Sequence, residues 1–307
     1  MEIVYALQEA RPAQPAHVAV GAFDGVHRAH QHLIGSMTQA AHAAGRRAAV
    51  VTFDPHPGAL LGRSPLAALS TVEERAALLE GLGVDLLAIV RFTAAVAGTS
   101  AACFVDLLRA HLAMVELWAG PDFALGHRRE GTVDYLRRLG EQQGFAVQVI
   151  EPLRWRGEVV SSTRIRAALT AGDIEEANGC LGRPYRLSGT VVHGRGLGRK
   201  LGVPTANLAP PPGRLIPANG VYACIAGTED GGEWPAVANV GVRPTIADNG
   251  LTVEAHLLDF SGDLYGQRLR LDFIARLRDE MAFPGLDALV AQVQADIDQA
   301  RRILAGM

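Results

Sequence analysis

Short apolar runs alternate with segments of helical periodicity through the first half of the chain. The apolar runs have the length of strands buried on both faces and occupy residues 17–21, 48–53, 86–91, 115–119 and 147–150. Between them, apolar residues recur at the spacing of one helix face over 31–45, 72–83, 100–112 and 133–144. Ser70 or Thr71, and Thr99 or Ser100, stand where N-caps are expected. The alternation predicts an α/β domain with a doubly wound parallel sheet.

The pattern changes after Gly172. Residues 172–185 indicate a short helix and a linker, and short β-rich runs bounded by Gly and Pro follow at 187–194, 220–227, 234–241, 252–260 and 267–277. Residues 286–304 return to helical periodicity. We therefore predict an α/β domain over 1–171, a linker over 172–182, and a small β-barrel with a C-terminal helix over 183–307.

Composition narrows the class of protein. In 307 residues, 29 Lys and Arg stand against 32 Asp and Glu, so the net charge of -3 gives no basic footprint for nucleic acid. Cys103, Cys180 and Cys224 are far apart and predict neither a disulfide framework nor a paired thiol site. The first residues resemble no signal peptide, and no apolar run approaches the length of about 18 residues that a membrane helix needs. The expected compartment is the cytoplasm.

The first strand runs into the segment GAFDGVHRAH, residues 21–30. Gly21 and Gly25 bracket a turn, and a helix is predicted to begin near Ala29. Its N-terminus would present free N–H groups, which suit a phosphate. His27 and His30, at positions i and i+3, could face one ligand and stabilise charge during a displacement at phosphorus. Two alternatives stay open: exposed loop histidines, or a metal cluster that adds His32 and His56.

Three further polar segments follow predicted strands of the same sheet: TFDPHP at 52–57, GPDFALG at 120–126 and VSSTRIRAAL at 160–169. Ser162 and Thr163 offer hydroxyls at a helix start, and Arg166 follows one turn later. Such a combination can clamp a phosphate, although it can also be a plain helix cap with exposed arginines. Because the carboxyl ends of parallel strands meet at one edge, the segments are expected to form one site.

The second half opens with GTVVHGRGLGRKLGVPTANL, residues 189–208. Its glycines, Gly194 among them, and its cations, Lys200 among them, could admit a phosphate close to the backbone, although a surface hairpin would have the same composition. In an extended chain, Thr205 and Asn207 point to the same side and offer the oxygen ligands that suit Mg²⁺ beside ATP phosphates. The alternative is a turn stabilised by the asparagine side chain.

One carboxylate lies in TVEAHLLD, residues 252–259. Strand alternation places Val253, Ala255 and Leu257 on one face and Glu254 on the other. Glu254 could accept the proton of a hydroxyl that attacks a γ-phosphate, or it could lie on the wet face of a barrel without a catalytic role.

Taken in order, FDGVHxxH, TFDPHP, xDFxxG and SSTRIR resemble the FMN adenylyltransferase module of bacterial bifunctional riboflavin kinase/FAD synthetases, over about residues 16–170. That module is a nucleotidylyltransferase with an HxGH motif, in which Ala29 here replaces the glycine. The resemblance implies that His27 and His30 are catalytic contacts to the ATP phosphates. It also implies a nucleotide site of Gly21, Phe23, Asp24, Ser162, Thr163 and Arg166, with Asp122 and Phe123 near the flavin.

The segments GxxLGxPTANL, ANVGVRPT, VEAHLLDF, DLYG and LRDEMAF resemble the riboflavin kinase family over about residues 183–304. This resemblance implies that Thr205 and Asn207 hold Mg–ATP and that Glu254 is the general base toward the ribityl 5′-hydroxyl. Gly194 and Lys200 are expected to contact the nucleotide. Arg278 is expected near the flavin.

The two resemblances together predict a transferase that phosphorylates riboflavin to FMN and adenylylates FMN to FAD. Its expected ligands are riboflavin, FMN, FAD and ATP with Mg²⁺, and it is expected to bind neither nucleic acid nor membrane and to self-associate weakly at most. The main alternative is a riboflavin kinase whose adenylyltransferase domain is impaired or retargeted. A flavin-binding protein without activity is a second alternative.

Overall fold

A computed structural model describes residues 1–12, 14–60, 67–194, 198, 202–242 and 251–306. The chain divides into two compact units, Met1–Ser162 and Thr163–Met307. Strands of the first unit are β1 (Glu2–Val4), β2 (Ala16–Val20), β3 (Arg47–Asp54), β4 (Leu86–Arg91), β5 (Met114–Ala119), β6 (Ala124–Leu125), β7 (Gly131–Thr132), β8 (Ala146–Val149), β9 (Arg154–Trp155) and β10 (Glu158–Val159). Its helices are α1 (Arg28–Ala43), α2 (Pro57–Leu60), α3 (Val72–Glu80), α4 (Ala94–Ala97), α5 (Ala101–Leu112) and α6 (Val133–Gln143).

Six parallel strands form the main sheet of this unit, in the order β1-β4-β3-β2-β5-β8. The five apolar runs of the sequence are its β2, β3, β4, β5 and β8, so the predicted parallel sheet is confirmed. The sequence pattern missed β1, which pairs with the edge of β4. Only Val4 of its three residues is buried, and so short a run shows no periodicity.

Helices cover both faces of this sheet, as the doubly wound pattern predicts. One core cluster joins the sheet to α1 and α3 through Ile34, Met37 and Leu79. The other joins it to α5 and α6 through Leu108 and Leu136.

Both predicted N-cap positions are confirmed. Thr71 and Glu74 form a capping box at the start of α3, and Ser100 accepts a backbone hydrogen bond at the start of α5.

The second unit contains α7 (Ser162–Ala171), which begins at the unit boundary, α8 (Ile174–Leu181) and α9 (Leu286–Ala305). Its strands are β11 (Tyr185–Val192), β12 (Ala206–Ala209), β13 (Gly220–Gly227), β14 (Glu233–Val242), β15 (Leu251–Leu257) and β16 (Arg268–Arg278). They form a closed antiparallel barrel in the order β11-β12-β15-β14-β13-β16, which confirms the predicted barrel and C-terminal helix. In the part of the chain that is described, no helix is both long and apolar enough to cross a membrane.

Strand alternation in the barrel decides which side chains face outward. On β15, Val253, Ala255 and Leu257 are buried, whereas Glu254 is only partly buried. On β14, Ala238 and Val240 are buried and Asn239 between them is partly exposed. The predicted alternation of buried and outward-facing side chains along β15 is therefore confirmed. Glu254 and Asn239 lie on the outer face of the barrel.

The segment 172–182, for which the sequence predicts a linker, contains α8. This helix packs against β11 and β16. Asn178 joins it to both strands, because its Nδ2 donates to the carbonyl of Phe273 at 2.9 Å and its Oδ1 accepts from the Tyr185 backbone N–H at 2.7 Å. Ile174 and Leu181 are buried. The helix is thus an integral part of the second unit.

We expect a chain of residues 163–307 to be more stable than a chain of residues 183–307. The shorter chain loses the burial of Ile174 and Leu181, each worth about 1.5–3 kcal/mol, and leaves the Tyr185 N–H without Asn178. Urea unfolding of both chains, followed by circular dichroism, measures the difference. Equal unfolding midpoints would mean that 172–182 is a dispensable linker.

Arg278, at the end of β16, ties α9 to the barrel. Its Nε donates to both carboxylate oxygens of Asp296 at 3.0 and 3.1 Å, and its Nη2 donates to Oδ2 at 2.7 Å. Asp296 is only 3% exposed, and Gln292 also donates to it. A carboxylate so deeply buried depends on its cation, since removal of one partner leaves an uncompensated charge.

Arg278→Leu should therefore lower the free energy of unfolding of the second unit by about 3–5 kcal/mol, the usual cost of breaking a buried pair. Hydrogen exchange of barrel amides, read by mass spectrometry in the full chain, localises the effect. Arg301→Leu is the matched control, because Arg301 lies on α9, the helix that carries Asp296, and pairs with the exposed Asp259. We expect little change from the control, since exposed pairs contribute little. An Arg278→Leu protein with unaltered exchange would show that the pair does not stabilise the unit.

Candidate functional site

A cavity of about 430 Å³ opens at the carboxyl ends of β2, β5 and β8 in the first unit. Its walls come from the segments that follow these strands, as the position of the motifs predicts. It brings together most of the residues expected from the sequence in this unit: Gly21, Phe23, Asp24, His27, His30, Asp122, Phe123 and Ser162. The side chains of Leu33, Trp118 and Ile150 add an apolar wall.

The loop between β2 and α1 has an unusual backbone. Phe23, Gly25 and Val26 have φ angles of 47°, 77° and 38°. Glycine adopts positive φ freely, but for the β-branched Val26 it is a genuine outlier. Such residues cost about 1–3 kcal/mol each and persist only where the surroundings determine them. The loop must therefore be held by other segments.

The carboxylate of Asp24 is the main attachment of this loop. It is 1% exposed and accepts hydrogen bonds from the backbone N–H of Leu69 at 2.9 Å and from the N–H and hydroxyl of Ser70 at 3.0 and 3.2 Å. The Ser70 hydroxyl in turn accepts from the Gly25 N–H at 2.9 Å. Ser162 donates its hydroxyl to the Asp24 carbonyl at 3.1 Å. The sequence suggested Ser70 only as a helix cap, so its loop contact was missed.

His27 is the N-cap of α1. Its Nδ1 accepts the backbone N–H of His30 at 3.4 Å, so the proton of a neutral His27 lies on Nε2. The two rings are stacked with centroids 3.5 Å apart. Burial, and then the neighbouring His27 and Arg75, hold the pKa of His30 well below its ordinary value. His30 is therefore neutral at pH 7.

This arrangement suits a phosphate chain attached to a flat apolar group. The start of α1 presents the positive end of the helix dipole, and two imidazoles lie in its first turn. An anion that binds there would favour protonation of the histidines, which turns them into stronger donors. Trp118 and Phe123 supply aromatic surface beside them.

Two further residues predicted for this site follow Ser162 along the chain. Thr163 and Arg166 lie on α7, within the second unit. Thr52, in the TFDPHP segment, donates its hydroxyl to the carbonyl of Ala22 at 3.0 Å and so supports the loop from β3. Roles for Thr163 and Arg166 stay predictions.

The second unit brings its predicted residues together on the outer face of the barrel. Asn207 on β12 lies directly opposite Glu254 on β15. The hydroxyl of Thr205 donates to the Glu254 carboxylate at 3.2 Å. A Cβ atom at Gly194 would collide with the side-chain amide of Asn207, so any other residue there would displace that amide.

Two contributors to this site were missed from the sequence. Asn239 on β14 is the cross-strand partner of Glu254 on its other side, so Asn207, Glu254 and Asn239 form a row across three strands. His256 bonds the carbonyl of Pro204 through Nδ1 at 2.7 Å, which fixes the start of the PTAN segment. Only the pairing of the strands reveals either contact.

The hydroxyl oxygen of Thr205 and the amide oxygen of Asn207 are ligands of the kind that Mg²⁺ prefers, so their chemistry fits the ion. The alternative of a histidine metal cluster is not supported where the structure is described, since no group of three or more His, Cys, Asp or Glu residues there could hold a metal. Lys200 lies outside the described residues. Arg278, which is expected near the flavin, forms an ion pair with Asp296.

Comparison with known proteins agrees with this division. A family model described as FAD synthetase matches residues 9–164, and one described as riboflavin kinase matches residues 181–304. A solved structure described as a macrolide-efflux protein from Streptococcus pneumoniae is 29% identical, with a TM-score of 0.90 over 97% of this chain and 98% of its own.

Curated relatives match over almost the full length. A bifunctional riboflavin kinase/FMN adenylyltransferase from Pseudomonas fluorescens is 41% identical over 99% of this chain and 98% of its own. Proteins of the same name from Listeria monocytogenes and Escherichia coli K12 are each 36% identical over 94% of this chain and 92% and 93% of their own. The chain therefore belongs to the family of bifunctional riboflavin kinase/FMN adenylyltransferases.

Proposed function

We propose that the first unit adenylylates FMN in its loop-and-histidine cavity and that the second unit phosphorylates riboflavin on the outer face of its barrel. The chain as a whole is a transferase that uses ATP to convert riboflavin to FMN and FMN to FAD. The observation that carries the assignment is the row of Asn207 and Glu254 with Thr205 against the Gly194 loop. Neither the impaired-transferase alternative nor the binding-only one finds support, because both halves match their enzyme models.

In the kinase unit, Glu254 is proposed as the general base. Its carboxylate would accept the proton of the ribityl 5′-hydroxyl while that oxygen attacks the γ-phosphorus of ATP and ADP leaves. The Thr205 hydroxyl orients the Glu254 carboxylate by a hydrogen bond. Strand pairing places Glu254 directly opposite Asn207 and so fixes its position along β15. The close approach of Gly194 to the Asn207 amide places the loop backbone beside this row.

Thr205 and Asn207 are proposed to hold Mg²⁺ together with the ATP phosphates. Bound there, the ion would neutralise charge on the phosphates. Two protein ligands suffice, since Mg²⁺ usually keeps phosphate and water ligands. Gly194 and Lys200 are proposed nucleotide contacts. Arg278, which pairs with Asp296, stays a predicted flavin contact.

In the adenylyltransferase unit, an FMN phosphate oxygen attacks the α-phosphorus of ATP and pyrophosphate leaves. His27 and His30 are proposed to donate hydrogen bonds to the phosphate oxygens as negative charge shifts toward the leaving group. Gly21, Phe23 and Asp24 shape the nucleotide side, with Ser162, Thr163 and Arg166 as proposed phosphate contacts. Asp122 and Phe123 are proposed flavin contacts. The cytoplasmic compartment and weak self-association stay predictions.

Glu254→Gln should slow FMN formation from riboflavin by about 10²–10⁴-fold, the usual contribution of a positioned general base. Riboflavin binding should persist, because the amide keeps the shape of the side chain. Steady-state rates of FMN formation, with chromatographic separation of the flavins, measure the effect.

Two controls accompany this substitution. Glu233→Gln changes an exposed glutamate of the same barrel and should leave the rate near wild type. FAD formation from supplied FMN should be unaltered in Glu254→Gln, because it belongs to the other unit. A loss of less than about threefold, far below the range of a positioned base, would place the base elsewhere.

Asn207→Ala should raise the Mg²⁺ concentration needed for half-maximal FMN formation by about tenfold or more, equivalent to about 1.4 kcal/mol. The reason is the loss of one oxygen ligand from a site with few protein ligands. The measurement is the kinase rate against Mg²⁺ at saturating riboflavin. Asn219→Ala, which removes a contact to Glu280 instead, is the matched control. Superimposable magnesium curves for Asn207→Ala and wild type would reject the metal role.

A further inference from the structure

Arg75 on α3 is a buried cation that the chemistry described above does not use. Only 4% of the residue is exposed. Its Nη1 donates to the hydroxyl of Thr52 at 2.8 Å and to the carbonyl of Phe53 at 3.3 Å. Its Nε is buried and has no partner among the described residues. Burial of a charged group with an unused donor is costly, and such groups are retained chiefly where they serve a site.

The contacts of Arg75 lead directly to the β2–α1 loop. The Thr52 hydroxyl accepts a hydrogen bond from Arg75 and donates one to the carbonyl of Ala22 at 3.0 Å. This relay meets the loop beside Phe23, the first of its residues with positive φ. Asp24 holds the other end of the loop through Ser70. The guanidinium therefore braces the end of β3 against a strained backbone.

Arg75 also acts on the histidine pair through charge. His30 has a buried Nδ1 without a partner among the described residues, and Phe23 packs edge-on against its ring. Burial, His27 and Arg75 together lower the pKa of His30. Asp24, Asp54 and Glu73 are the carboxylates whose charge acts on Arg75. The guanidinium stays protonated in the physiological range, so its charge beside the histidines is permanent.

We propose that Arg75 is a positioning residue of the adenylyltransferase site, which braces the β2–α1 loop through Thr52 and whose fixed positive charge acts on the histidine pair. The proposal rests on the function assigned to the first unit. Arg75 then has two separable effects. Its hydrogen bonds hold the loop in the shape that binds ATP, and its positive charge lowers the proton affinity of His30.

Three variants separate the two effects. Arg75→Met removes the charge and the brace, Arg75→Lys keeps the charge but loses the forked donor, and Thr52→Val keeps the charge but breaks the relay. Arg109→Met is the control, because Arg109 lies on α5 at the other face of the sheet, where it contacts Gln143. Hydrogen exchange of the amides of the first unit, read by mass spectrometry in the full chain, reports whether each variant is folded.

Two readouts are measured in the full chain. One is the KM for ATP and the kcat of FAD formation from supplied FMN. The other is the titration of the His30 imidazole by NMR from neutral pH downward to the acid limit of the folded state, with His30→Gln for assignment. Because a neighbouring cation disfavours imidazolium, loss of Arg75 should raise the His30 midpoint.

Arg75→Met should raise both the ATP KM, by about tenfold, and the His30 midpoint. Arg75→Lys and Thr52→Val should raise the KM and leave the midpoint near wild type, and Arg109→Met should alter neither. Wild-type values of both readouts in Arg75→Met would overturn the proposal. If that variant does not fold, an unchanged KM in both Arg75→Lys and Thr52→Val overturns it. A wild-type protein that forms no FAD would refute the function of the unit, whereas the His30 titration would still test Arg75.

Discussion

The buried carboxylate of Asp24 is the contact on which the first unit's site depends. It accepts from Leu69 and Ser70, which precede α3, and so fixes a loop whose backbone is unfavourable at Phe23 and Val26. Without these bonds the loop would relax toward ordinary φ values, since each strained residue costs about 1–3 kcal/mol. The loop carries the start of α1 and with it both histidines. Hydrogen bonding at one carboxylate thus sets the position of the histidine pair.

The two units solve the same chemical problem by different means. Each must hold a triphosphate close to backbone. The first unit offers a helix N-terminus beyond the strands of a parallel sheet, where His27 is the cap and a proposed ligand contact. The second offers the outer face of a barrel, where strand pairing aligns Asn207, Glu254 and Asn239. At Gly194 the lack of a side chain lets the loop approach the Asn207 amide.

Some features could be read from the sequence because they depend on neighbouring residues alone. Thr71 and Glu74 show a capping box at their spacing, and alternation along 252–257 shows that Glu254 faces away from Val253. Other features could not. A strand as short as β1 has no period, and the short helix that the sequence predicts within 172–185 gives no sign that Asn178 ties it to two strands.

The sequence by itself determined the order of most helices and strands, the parallel and barrel classes of the two units, and the motif residues, because periodicity and motif spacing are properties of the local chain. Only the tertiary structure decided which distant residues meet. Thr52 lies between Arg75 and Ala22, and Glu254 lies between Asn207 and Asn239. These contacts depend on the order of the strands and on burial. Both result from packing of the whole chain, and neither can be read from a short stretch of sequence.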